Sequence, residues 1–293
     1  MLSYRHGFHA GNFADVFKHI VLAEVADYFT QKPKPFVFFD THAGEGFYHL
    51  SSEFAQKTGE FTEGIIPLLK KQAEFTEIPS TIARYIDFQK NLVENYGLYG
   101  GSSLVVSAFS RTMDEAVLCE LHPTSVEILK NNVDEIKDAF ASEDFLYGNI
   151  GKIHVHKRDG YECLQALTPP KSPLPTRGFA FIDPSYEVDS DFENVHQTVA
   201  ATAKKWNGTI VVWYPILERK KAKIENLIAS LQTSVADGEL LQTEFHIPKS
   251  DGMTGSGMFM VNPPYLIEEK IENDGNFLCK IYSGSTFNIR TLP

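Results

Sequence analysis

Nine residues, Phe179 to Glu187, carry most of the groups from which a reaction centre could be built. Phe179 to Ile182 is an apolar run of strand length, of the kind covered on both faces, and Asp183-Pro184-Ser185-Tyr186 follows it at once. An exocyclic amine on adenine or cytosine, or the nitrogen of an amide, is a poor nucleophile because its lone pair is shared with the π system. A carboxylate and a prolyl carbonyl in a rigid turn can both accept its N–H groups, which favours a pyramidal nitrogen aimed at an electrophile, while an exposed aromatic stacks on the ring. Asp183, the carbonyl of Pro184 and Tyr186 supply that set. An Asp-Pro pair also ends strands with no chemistry attached, so its context must decide.

An Asp, Asn or Ser followed by Pro-Pro and an aromatic is the signature of methyltransferases acting on planar nitrogens, and Ser185 departs from it at one position. A second copy, Asn262-Pro263-Pro264-Tyr265, follows the apolar run Met258 to Val261 and matches the pattern better. Chain order favours Asp183. It lies past a fourth core strand and downstream of a glycine loop and an acidic strand end, whereas Asn262 comes after a further strand, Ile210 to Trp213, and a long helix.

The glycine loop is Asp40-Thr41-His42-Ala43-Gly44-Glu45-Gly46, directly after the apolar run Phe36 to Phe39. Its two glycines allow a tight turn and close approach to a ligand; the third glycine of a dinucleotide fingerprint is missing, which disfavours nicotinamide or flavin and suits the amino-acid end of S-adenosylmethionine. Glu120 ends the strand Glu115 to Cys119, where an acid can pair ribose hydroxyls. Asp159-Gly160 follows the short strand Lys152 to His156, in reach of an adenine amino group. Gly100 to Ser103 turns into a helix start whose backbone donors suit an anion.

These strands, separated by helices, predict an α/β fold: a Rossmann-like class I sheet with an inserted helical subdomain and an N-terminal arm. Residues 1–50 are the arm, first helix and cofactor loop, 51–99 the insertion and 100–293 the remainder. The first helix runs from Phe13 to Phe29, capped by Asn12, with Val16, Ile20 and Ala23 on one face. Its preceding arm is too polar for a packed element, so it is expected to act as a lid outside the core that closes over bound ligands. The Gly252 to Gly257 stretch reads as a mobile loop facing the site.

The formal net charge of −11 excludes broad binding to nucleic acid driven by phosphate neutralisation, so any RNA contact must be local. Arg5, Lys18, Lys204, Lys205 and the run Arg219 to Lys223 are the candidates. Cys119, Cys163 and Cys279 lack metal or disulfide spacing, the scattered histidines 6, 9, 19, 42 and 49 do not form a metal pattern, and no apolar stretch approaches membrane length. A cytoplasmic, soluble protein without a metal is expected.

Jointly, the opening MLSYRHGFHAGNFADVFKH, the DTHAGEG loop, GGSS, LCELHP, RDGY, FIDPSYE, WYP and GMTGSGM resemble the 23S ribosomal RNA adenine-N6 methyltransferases of the J type, from Met1 to about Tyr265. The resemblance implies S-adenosylmethionine as methyl donor, one adenine of large-subunit rRNA as acceptor, and a monomer acting on a stem-loop in free or immature 23S rRNA. By matching position it places cofactor contacts on His19, His42, Gly44, Ser102, Glu120, Asp159, Gly160 and Asp183, substrate or lid contacts on Tyr4, His6 and Lys18, and catalysis on Asp183 with Pro184 and Tyr186. Ser185 stands where the family has proline, which loosens the turn without removing an acceptor. Two other classes share some of these features: an N-methyltransferase on DNA adenine or protein glutamine, and a noncatalytic RNA-binding module, against which the intact Asp40, Glu120 and Asp183 speak.

Overall fold

The computed structural model describes residues 5–140, 150–235 and 239–292. The chain enters through α1 (Phe13–Thr30) and β1 (Val37–Asp40), then β2 (Phe47–His49), α2 (Glu53–Thr58), α3 (Ile65–Lys71), α4 (Ser80–Tyr96) and β3 (Leu98–Gly100). Helix α5 (Ser102–Ala108), β4 (Glu115–Cys119), α6 (Pro123–Phe140), β5 (Lys152–His156), α7 (Gly160–Leu167), β6 (Gly178–Ile182), α8 (Ser190–Ala203), β7 (Thr209–Leu217) and α9 (Lys221–Ser234) alternate along the middle. The C-terminal set is β8 (Leu240–His246), β9 (Met253–Val261), α10 (Ile267–Ile281) and β10 (Thr286–Leu292).

The main sheet has the order β10-β8-β9-β7-β6-β1-β4-β5. Strands β5, β4, β1, β6 and β7 are parallel, and β9, β8 and β10 are antiparallel to their neighbours. Every residue of β1, β4 and β6 is buried, which is why these segments are apolar runs rather than alternating ones. The order of strands reverses between β1 and β6, and a crevice opens beyond their carboxyl ends. Asp40 pairs in register with Phe181, so Asp40 and Asp183 emerge side by side there.

Two expected local structures are corrected. Gly252 to Gly257 does not form a loop: Met253 onward is strand β9. Its glycines make room, since a Cβ on Gly257 would come within 2.2 Å of the Tyr214 ring and one on Gly255 within 2.8 Å of the Phe245 carbonyl oxygen. Helix α1 does not have one apolar face; it is buried from Phe13 through Ala26 because the sheet, α4, α5 and α10 all pack on it. Phe17 of this helix, for example, stacks on Phe245 of β8 at 5.6 Å.

Because β9 runs against β7, Asn262 leaves the sheet beside the start of β7, where Thr209 Oγ1 donates to its carbonyl at 2.7 Å. The second Pro-Pro copy therefore lies at the edge opposite Asp183, with Tyr265 77 % exposed. The inserted helices begin and end on adjacent strands, since β2 pairs antiparallel with β3. Gln89 of α4 fixes β3 from behind: its amide donates to the Gly100 carbonyl at 2.9 Å and accepts from the Gly100 N–H at 3.0 Å.

The α1–α10 seam buries two facing acids, Glu24 and Asp274. Burial and then the Glu24 charge raise the Asp274 carboxyl to about 9, while Lys270 Nζ lies 3.1 Å from Glu24 Oε2. Unfolded, the same carboxyl titrates at ~3.9. Between these values the folded chain holds a proton that the unfolded chain has released, so this group's contribution is fully present below about pH 4 and is lost as pH rises towards about 9. Asp274→Asn removes the titration. Denaturation midpoints measured across that window should fall less steeply with pH in the variant, which should be the more stable protein at its alkaline end; parallel curves would show that Asp274 is already charged.

Candidate active site

The turn after β6 delivers Asp183 into the crevice, and α1 delivers its partner. Lys18 Nζ lies 2.7 Å from Asp183 Oδ2 and 2.8 Å from Asp15 Oδ1, one helical turn back on α1. Asp15 Oδ2 also accepts the Gly11 N–H at 2.9 Å and lies 2.9 Å from His6 Nε2. Burial alone would push the Asp15 carboxyl up, but His6 and Lys18 beside it hold it well below the usual carboxylate range. A charged acid, amine, acid row thus runs from the helix to the motif, and the Lys18 ammonium sits over the Trp213 ring, 5.2 Å from its centroid.

Tyr186 corrects an expectation. It is 1 % exposed, its backbone takes φ +53, and its ring packs on Phe192 and Trp213 at 4.9 and 6.0 Å. Its hydroxyl donates to the Trp213 carbonyl at 2.8 Å, and its own carbonyl accepts from Lys220 Nζ. A ring so enclosed and satisfied cannot stack on a ligand. Pro184 and Ser185 remain at the cleft wall.

The other half of the site is the glycine loop. Gly44 and Gly46 take φ +61 and +81, which side chains rarely adopt. This bend brings the Gly44 N–H to Glu120 Oε2 at 3.0 Å, while Glu120 Oε1 accepts the His122 N–H at 2.7 Å. Burial raises the Glu120 carboxyl. Asp40, 0 % exposed, accepts Ser102 Oγ at 2.6 Å and the His42 N–H at 3.2 Å. Burial lifts it to about 7, the Ser102 hydrogen bond opposing and the Asp183 charge adding. Asp159 caps α7 by accepting the Glu162 N–H at 3.0 Å, and Gly160 runs so close to the loop that a Cβ there would meet the Thr41 carbonyl oxygen at 1.9 Å.

His19 and His42 are lowered by burial to about 3 and about 4, so both are neutral near pH 7. His19 Nδ1 contacts the Tyr99 hydroxyl at 2.9 Å, and His42 Nδ1 contacts Thr41 Oγ1 at 2.7 Å. Among the described residues no group of His, Cys, Asp and Glu is arranged to hold a metal ion. Nor is any helix among them long and apolar enough to cross a membrane.

Apart from Tyr186, buried behind the wall, the candidate catalytic, cofactor and substrate residues within the described chain line one cleft of about 1000 Å³; of the candidate RNA-contact residues, Arg5, Lys18 and Arg219 line it, and Lys204, Lys205, Lys220, Lys221 and Lys223 do not. Tyr4 lies outside the described residues. The reading of residues 1 to 11 as a lid outside the core is corrected for the described part. Ala10, Gly11 and Asn12 are buried, the Gly11 carbonyl accepts the Ile65 N–H at 2.8 Å, and Asn12 both caps α1 and donates to Glu60 at 3.0 Å. His9 and Asn12 find Glu60 of the insertion and His6 finds Asp15 of α1, which lets a polar segment pack. Asp15 and Trp213 escaped the sequence reading as site residues. A signal for Asp15 existed: it and Lys18 are opposite charges three apart among Phe13, Ala14, Val16, Phe17 and Ile20, and buried charges are seldom unpaired. Trp213 had none, being one large residue in an apolar strand.

Comparison with known proteins adds relatives of nearly full length. A family model described as ribosomal RNA large subunit methyltransferase D, RlmJ, matches residues 33–290. Ribosomal RNA large subunit methyltransferase J of Haemophilus influenzae is 37 % identical over 96 % of this chain and 94 % of its own. The protein of the same name from Escherichia coli is 37 % identical, over 93 % and 91 %. A crystal structure of a Legionella pneumophila protein superposes with a TM-score of 0.80 at 30 % identity, covering 97 % of this chain and 98 % of that one.

Proposed function

The chain belongs to the family of ribosomal RNA large subunit methyltransferases J, and from that premise we propose that it methylates the N6 amino group of one adenine in 23S rRNA at the expense of S-adenosylmethionine. The observation that carries this reading is that Asp183 already holds an N–H donor at 2.7 Å, in the same cleft as the Gly44–Glu120 pair.

The cleft fits S-adenosylmethionine by donor chemistry. Glu120 uses one lone pair of each oxygen on backbone N–H groups and retains others for ribose hydroxyls. Asp40, poised near 7, is drawn into its charged form by a cationic ligand, and the glycine loop lets backbone come close. When bound, S-adenosylmethionine supplies an electrophilic methyl group. In this reading Asp183 and the Pro184 carbonyl accept the amine's N–H groups and so release its lone pair, while Lys18 falls back on Asp15, which its Nζ already meets at 2.8 Å. The overall negative charge supports a single defined stem-loop over extended duplex contact.

The test is incubation with labelled S-adenosylmethionine and unmodified 23S rRNA, DNA or protein, followed by mapping of the label. Label on N6 of one rRNA adenine is expected; label on DNA, on protein or on another base overturns the substrate assignment. Glu120→Ala should weaken S-adenosylmethionine binding by about 10- to 150-fold, the worth of a charged hydrogen-bond acceptor at roughly 1.5–3 kcal/mol. Calorimetric affinity equal to the parent protein would mean that the ribose is held elsewhere.

A further inference from the structure

We propose that Trp213 is the surface on which the target base lies, and that the Lys18 ammonium occupies the place its exocyclic amine takes. This deepens the adenine methylation proposed above and rests on it. An extruded base has lost its stacking partners in the RNA, and a protein that holds one offers a ring in exchange. The motif aromatic, Tyr186, cannot do so, being 1 % exposed and tied by its hydroxyl to β7. The residue to which it is tied is Trp213.

Trp213 meets the requirements of a platform. Its indole lines the cleft. Its Nε1 donates to Ser256 Oγ at 2.9 Å on neighbouring β9, and its carbonyl accepts the Tyr186 hydroxyl, so ring and backbone are both held. The Lys18 ammonium lies 5.2 Å from the ring centroid and 2.7 Å from Asp183 Oδ2. One N–H donor thus satisfies the carboxylate and the π face together. An adenine with N6 at that point reproduces both contacts, offering N–H to Asp183 and its own π face to the indole. The displaced ammonium keeps Asp15 Oδ1, already 2.8 Å away, so it stays paired, while Asp183 exchanges its cation for the neutral N–H donor of the amine. In this arrangement Tyr186 is a positioning residue acting through the Trp213 carbonyl.

The chain holds two tryptophans, and the other, Trp206, is buried against Phe39. In full-length Trp206→Phe protein, Trp213 is therefore the sole indole emitter. Unmodified 23S rRNA added with S-adenosylhomocysteine should quench that emission, and rRNA already methylated by the protein should quench it less. Trp213→Leu should lower kcat/KM for rRNA by about 5- to 150-fold, the range for losing one base–aromatic stack. Trp213→Phe should recover most of that loss, with S-adenosylmethionine affinity equal in all three proteins. If the wild type methylates rRNA while the Leu and Phe variants match each other, or while Trp213 emission ignores bound RNA, the platform is wrong and the function stands. A wild type that transfers no methyl group to rRNA overturns the parent reading and this one with it.

Discussion

Asp183→Asn is expected to lower methyl transfer at least about 100-fold, equivalent to ~2.7 kcal/mol of barrier, with S-adenosylmethionine affinity changed by less than about threefold. The substitution keeps the shape and one acceptor of the side chain. What it removes is the charge, which draws the lone pair of a conjugated amine away from its ring. The protein should remain folded, because Lys18 retains Asp15 at 2.8 Å and Asp183 lies in a turn rather than in the core. Single-turnover rates with saturating rRNA isolate the chemical step from binding. A rate within about tenfold of the parent would show that Asp183 is not the acceptor. Asn262→Ala, at the opposite sheet edge, should leave the rate intact.

Asp15→Ala carries the largest expected loss of stability, about 3–5 kcal/mol. Its carboxylate is 1 % exposed and holds Lys18, His6 and the Gly11 N–H together. Truncation takes one of its two carboxylates from the Lys18 ammonium, itself 4 % exposed, and removes the acceptor that ties His6 and the Gly11 N–H to α1. Such a loss is a large share of the roughly 5–15 kcal/mol that holds a domain folded. Urea denaturation measures it, and hydrogen exchange should show residues 5–12 opening first. A loss below about 1 kcal/mol would mean that water replaces the carboxylate and that the row of charges is not a unit. Turnover should fall as well, at temperatures where the variant is folded, because Asp183 is then the one carboxylate of the row left to the ammonium, which yields it less readily to an incoming amine.

Much of this protein was legible in the chain alone, and for identifiable reasons. Parallel strands covered on both faces must be apolar throughout, so the strands ending at Asp40, Cys119 and Ile182 declared themselves, as did the acids or turns that follow them. Helix α4 did so by its amphipathic spacing and its terminal Gly97, which takes φ +65. Chain order was sufficient to prefer Asp183 over Asn262. Tertiary structure decided what periodicity cannot express. Glycines in β9 look like a loop until the Tyr214 ring that fills their missing side chains is seen, and a polar opening segment looks unpacked until the insertion supplies Glu60 and Ile65 as partners. Which way the motif aromatic faces depends on a single positive φ at Tyr186 and on a carbonyl 27 residues away. Local sequence sets which groups are present and which elements they end; only the packing of distant elements sets whether a side chain meets solvent, a ligand or another side chain, because burial and charge pairing are properties of neighbours in space.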